Sequence, residues 1–172
     1  MFFWVLLVGL VLAYWSLLDW RDHEIEDTQT IGFLLAGALV SLSLSLLAGD
    51  IRQAIQSCGF AVAFGLFGLV LYRFDLWGGA DVKILAGLGF LSNTLVFEHV
   101  PSAVWPLEVS FFLNVCLASI AYFIPAEIYY WKTTGRFEKE VPYVPAFFLA
   151  WILTFLVGDG LWALLSALKI AL

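Results

Sequence analysis

Trp77-Gly78-Gly79-Ala80-Asp81-Val82-Lys83 opens the apolar run from Ile84 to Phe97, and it decides what kind of bundle this chain builds. A carboxylic acid and an amine at the point where a segment enters a bilayer are costly, so such groups face protein or water and serve a function. Helix capping accounts for the same residues. Two glycines give a pliable entrance, and Asp81 sits in the first turn, where the positive end of the helix dipole favours an anion. The two accounts are compatible, and a second, partnered acid elsewhere in the chain decides for the functional one.

Composition sets the solvent. With 63% hydrophobic and 13% charged residues and a mean hydropathy of +0.97, the 172 residues carry too much apolar surface for one soluble core, and an integral membrane protein is expected. Eight Trp and six Tyr supply interfacial anchors. A formal charge of -6 leaves no basic patch, so nucleic acid is not an expected partner. Cys58 and Cys116 lie inside apolar runs without CxxC or Cys/His spacing, as small lipid- or bundle-facing residues rather than a disulfide or zinc framework.

The hydropathy pattern predicts an all-α bundle of six spans with short loops, forming one membrane domain over residues 1–172. The first, 2–18, lacks a basic leader region and a small-residue cleavage site, so it reads as a retained helix that ends at Asp19. A polar loop follows from Trp20 to Thr30. The second span, 31–48, and the third, 54–72, are rich in small residues suited to close helix packing, with a short turn at Gly49-Asp50 between them. The fourth covers 81–97. The fifth, 107–131, holds Pro125 and Glu127 near its end, which predicts a kink or an early exit, and the sixth covers 142–168. No soluble domain and no internal repeat remain, so an inverted-repeat transporter gains little support.

Cations orient the bundle. With the amino terminus outside, Arg21, Arg73, Lys83, Lys132, Arg136 and Lys139 fall inside and Arg52 and Lys169 outside, which accounts for all 8. Both termini are then expected outside, and Asp19 and Asp81 share the cytoplasmic level of the membrane. Two carboxyls in one partly dry site cannot both ionise cheaply, so the pair shares a proton. The ionised member can then draw a proton from a water held between them while the protonated member hydrogen-bonds a scissile carbonyl, without a covalent intermediate.

At these residues the chain resembles a known family. Gly78-Gly79-Ala80-Asp81-Val82-Lys83 is similar to the Gly-x-Gly-Asp-x-Lys motif of type IV prepilin peptidases and the archaeal preflagellin (prearchaellin) peptidases, which are membrane aspartic proteases. Asp19-Trp20-Arg21-Asp22-His23-Glu24-Ile25 resembles the family's first catalytic aspartate, with a basic residue two later and an Ile six later. The late Pro142-Tyr143-Val144-Pro145 and the six-span layout correspond as well. Three features depart from the pattern: Ala80 replaces the second Gly, Glu26-Asp27 replaces a frequent Pro-Asn, and no four-cysteine insert separates the first two spans. The last departure implies peptidase activity without methylation, in an archaeal-type enzyme.

The resemblance implies catalysis by Asp19 and Asp81, at the cytoplasmic face of the cell membrane. The partners would be pilin-like or archaellin precursors with a short basic leader, alongside the lipid bilayer; no cofactor and no metal are expected. Asp22, Glu24, Glu26 and Asp27 form an acidic loop that either attracts the leader or is simply solvated. Gly78, Gly79 and Ala80 leave room for a substrate backbone beside Asp81. Lys83 lies about 200 degrees round the helix from Asp81, so it is expected to reach the interface, a neighbouring loop or substrate rather than that carboxylate. Asp75 reads as solvated beside Arg73, His23 and His99 fall on opposite sides, and Asp159 has no assigned role. A small proton-coupled transporter is the competing class, and it would set its carboxylates nearer the midplane. A non-catalytic scaffold subunit would need neither aspartate.

Overall fold

The computed structural model describes residues 2–22, 25–74, 76–91, 107–135 and 142–158. All regular structure among them is helical, as expected: α1 (Phe2–Asp22), α2 (Asp27–Ala48), α3 (Ile51–Arg73), α4 (Gly79–Leu91), α5 (Leu107–Thr134) and α6 (Val144–Val157). Three of these, α2, α3 and the Val109–Thr134 part of α5, are long and apolar enough to cross a membrane; α6 is a shorter apolar helix. The remaining parts of the expected fourth and sixth spans, 92–97 and 159–168, lie outside the described residues, as do Asp75, His23, His99 and Asp159.

The pattern of burial suits an apolar solvent. Leu35, Leu39, Leu46 and Leu47 on α2 and Ile55, Val62, Leu66 and Leu69 on α3 point outward, while Thr30, Ser41, Ser45 and Ser57 are buried. Small hydroxyl side chains let helices approach closely and can bond back to their own backbone, as Ser45 does to the Ser41 carbonyl at 2.9 Å. The turn between α2 and α3 is built as the sequence suggests. Gly49 adopts φ 69°, and the Asp50 carboxylate accepts hydrogen bonds from the N–H groups of Arg52 and Gln53 at 3.0 and 3.3 Å.

The six helices fall into two groups of three. Helix α4 packs chiefly against α2 and α3, whereas α6 packs chiefly against α1 and α5. Glycines set the first group's spacing. A Cβ on Gly68 would lie 3.2 Å from the Val82 Cα, one on Gly37 would lie 3.1 Å from the Gly87 carbonyl oxygen, and one on Gly89 would lie 2.7 Å from the Ala61 Cα. The second group is tied by Asn114 of α5, whose amide donates to the Thr154 hydroxyl of α6 at 2.8 Å inside the core. Aromatic rings bridge the two groups, with Phe64 and Phe67 of α3 stacked or edge-on to Phe112 of α5 at 5.3 and 4.7 Å.

Two boundaries differ from the sequence expectation. Helix α1 does not end at Asp19 but continues to Asp22, so the expected polar loop shrinks to the few residues before Asp27. No Gly or Pro stops it, Arg21 complements the negative end of the helix dipole, and Trp20 packs edge-on against Tyr122 of α5 at 6.2 Å. Helix α5 likewise runs through Pro125 to Thr134, beyond the expected end at 131. Proline removes one hydrogen bond and crowds one carbonyl, but Ala126 and Glu127 beyond it remain buried, so packing carries the helix on.

Candidate active site

Asp19 ends a stripe of buried residues on α1, following Val8, Leu12 and Trp15 at helical spacing. Trp15 fixes that stripe against α2: its ring N–H donates to the Gln29 side chain at 3.0 Å, and its ring meets Phe33 edge-on at 5.2 Å. One turn later, the Asp19 carboxylate accepts the Val144 N–H at 3.0 Å, the first helical N–H of α6. Pro145 follows and has no N–H of its own, so Val144 offers the first free donor of that helix start. Asp19 is 9% exposed.

Asp81 stands in the first turn of α4 and turns its carboxylate back onto the Gly78 N–H at 2.9 Å. This is the carboxylate half of a capping box, so the helix-capping account of the opening stretch holds. It is not the whole account. Asp81 is as buried as Asp19, 9% exposed, and the Asp19 charge is felt at Asp81. The two acids come from different helix groups yet lie within electrostatic reach of each other, at one end of the bundle.

Trp77 makes that meeting possible. Buried just ahead of the two glycines, its ring packs on Phe67 of α3 at 5.8 Å, on Tyr143 at 5.6 Å and edge-on to Phe147 of α6 at 5.2 Å. The start of α4 is thereby clasped to the start of α6, whose Val144 N–H holds Asp19. Tyr143 lies within electrostatic reach of Asp81 and of Glu127, and Tyr122 within reach of Asp19.

A cleft of about 910 Å³ opens at this end of the bundle, lined by Gly78, Gly79, Ala80 and Lys83 on one side and by Ile25, Glu26 and Asp27 on the other; Asp19 and Asp81 are not among its lining residues. A Cβ on Gly79 would meet nothing within 4 Å, so this glycine is not required by packing and leaves the cleft wall open. A Cβ on Gly78 would rest 3.4 Å from the Asp81 carboxylate. Lys83 turns away from Asp81, as the helix geometry predicts, and pairs with Asp27 in the first turn of α2. Glu26 and Asp27 are exposed on the cleft rim, while the Asp22 side chain and Glu24 lie outside what is described. Both cysteines are free, and no cluster of three metal-binding side chains occurs among the described residues.

Because Asp27 is 76% exposed, its pair with Lys83 is a weak tie. Lys83→Gln is expected to lower stability by less than about 1 kcal/mol, read as the shift in thermal unfolding of the detergent-solubilised protein. A loss several times larger would mean that the pair anchors α4 to α2.

From sequence, Glu127 marks a span end, Tyr143 belongs to a motif and Trp77 opens the glycine stretch, but none of them, nor the Val144 N–H, was singled out as a site group. An acid inside an apolar span is a signal of function by itself, so Glu127 could have been. The proline-flanked aromatic was noted only as a motif, and no sequence signal says that its backbone would reach Asp19.

Helical architecture with three long apolar helices defines a helical membrane protein, and two buried acids lie at one end of it. Residues 5–124 match the type IV leader peptidase family, and the chain belongs to that family. A preflagellin peptidase of Methanococcus voltae is 37% identical over 102 residues, covering 59% of this chain and 42% of that protein. A preflagellin peptidase of Methanocaldococcus jannaschii is 36% identical over 85 residues, covering 49% of this chain and 35% of that protein. The chain thus matches less than half the length of these curated relatives. No solved structure matches.

Proposed function

We propose that this protein is a membrane aspartic endopeptidase. It removes the short basic leader of preflagellin-type or type IV pilin-like precursors at the cytoplasmic face. The observation that carries this reading is that Asp19 and Asp81 are both buried and each braced by a backbone N–H, with the Asp19 charge acting on Asp81 across two helix groups. Membership of the leader peptidase family and the names of the two preflagellin peptidases support a preflagellin-type substrate.

The chemistry follows from the pairing. One carboxylate takes a proton from a water molecule as it attacks the scissile carbonyl, and the other carboxylic acid hydrogen-bonds the developing oxyanion. The tetrahedral intermediate then collapses as a proton passes to the leaving amine, which restores one shared proton on the pair. Gly79 leaves the cleft wall open for an extended backbone, and the cation count supports a cytoplasmic position for this end of the bundle.

The direct test is to incubate the detergent-purified protein with a tagged precursor that carries a Lys/Arg leader ahead of its hydrophobic helix. Cleavage at one site between leader and helix is expected. An intact precursor after prolonged incubation, in detergent and in liposomes, would defeat the proposal.

A further inference from the structure

Glu127 is a third acid at this end of the bundle and has no part in the chemistry described above. It is 8% exposed, and its Oε2 has no hydrogen-bond partner among the described residues. A carboxylate oxygen buried without a partner is costly, so a donor that reaches it is bound favourably. Its surroundings suggest which donor. Phe123 and Ile124 precede it by four and three residues, so Glu127 continues their face of α5 by one turn.

Phe123 and Ile124 line an apolar groove of about 330 Å³ between α5 and α3, completed by Ile120, Phe67, Leu71, Trp77 and Tyr143. Tyr143 lies within electrostatic reach of Glu127 on one side and of Asp81 on the other. The groove is apolar along its length, and Glu127 lies one turn beyond Phe123 and Ile124 on the same helix. Such a surface complements a peptide whose apolar stretch joins a cationic one close to the bond to be cut.

We propose that Glu127 is a specificity-determining residue, its free carboxylate oxygen receiving a Lys or Arg side chain of the leader while the start of the precursor's hydrophobic helix lies in the α3–α5 groove. This rests on the peptidase reading above. The ammonium or guanidinium supplies the donor that Oε2 lacks, and its charge sits in a drier setting than at the exposed acids of the cleft rim. Binding at this distance from the reacting bond adds to substrate affinity more than to the chemical step.

The test compares wild type, Glu127→Gln and Glu127→Asp on two precursors, one with its basic leader and one with every leader Lys and Arg replaced by Gln. Glu127→Gln is expected to raise KM for the basic-leader precursor on the order of 10- to 100-fold, the weight of a hydrogen bond to a charged group, with kcat less affected. Wild type should lose a similar factor on the neutral precursor. There Glu127→Gln should cost nothing further, and Glu127→Asp should recover part of the preference for the basic leader. If Glu127→Gln weakens cleavage of both precursors by the same factor, or abolishes both, Glu127 supports the fold rather than reading charge and the proposal is overturned. If wild type discriminates between the precursors and Glu127→Gln discriminates equally, it is overturned while the peptidase reading stands. If wild type cleaves neither precursor, both fall together.

Discussion

Asp19→Asn and Asp81→Asn are each expected to lower the rate of precursor cleavage by about a hundredfold to ten-thousandfold, the range that general acid–base groups supply. Helix content and solubility should stay as in the wild type. Asparagine keeps the shape of aspartate, and its side-chain oxygen can still accept the Val144 N–H at position 19 or the Gly78 N–H at position 81. The brace survives in either variant. The exchangeable proton does not, since an amide neither takes a proton from water nor lends one to an oxyanion. Single-turnover cleavage followed on gels, beside circular dichroism of the same preparations, reads both halves of the expectation. Wild-type rates from either variant would remove the paired-carboxyl mechanism.

Gly89→Ala should destabilise the protein by about 1–3 kcal/mol, the usual cost of overpacking. The added methyl would meet the Ala61 Cα at 2.7 Å, the Ala61 N at 2.8 Å and the Phe60 carbonyl carbon at 2.9 Å. Those are backbone atoms of α3 and cannot rotate aside, so α3 and α4 must part. Gly59→Ala is the matched control. Nothing lies within 4 Å of a Cβ there, and replacing a mid-helix glycine by alanine favours the helix by up to about 1 kcal/mol. Thermal unfolding in one detergent should separate the two variants in opposite directions. Equal midpoints would mean that the helices can slide to accept the methyl. Since α4 carries Asp81, Gly89→Ala should also reduce cleavage by whatever wild-type activity is found.

Much of the bundle is visible in hydropathy, because each helix must be apolar along its length to bury its backbone in lipid. The same requirement hides the partners. Helices α2 and α3 are apolar on every side, and their neighbours are chosen by small residues such as Gly37 and Gly68, whose contacts become visible only once α4 is laid against them. Asp81 was legible as a first-turn acid, and the orientation of Lys83 followed from helix geometry alone. Asp19 was legible as a polar residue at the end of an apolar run, but it was misplaced as the end of the helix, because composition changes there while backbone hydrogen bonding continues to Asp22. The bracing of Asp19 by Val144 spans 125 residues and involves a backbone group, which carries no side-chain signature. Glu127 looked like a kink or an exit from the membrane because Pro125 stands near it; the helix continues past both, with Ala126 and Glu127 buried inside the protein.

The division into two groups of helices imposes an order on biosynthesis. Helices α2, α3 and α4 are consecutive in the chain and pack on one another, so this local triplet can settle as soon as it is made. Helix α1 is made first but packs chiefly on α6, which is made last among the described helices. Until then Asp19 lacks the N–H that braces it, and Asp81 waits in a finished half without its counterpart. On the peptidase reading proposed above, a chain still being made holds both acids without the brace from α6, so the proposed centre forms only once α6 packs on α1.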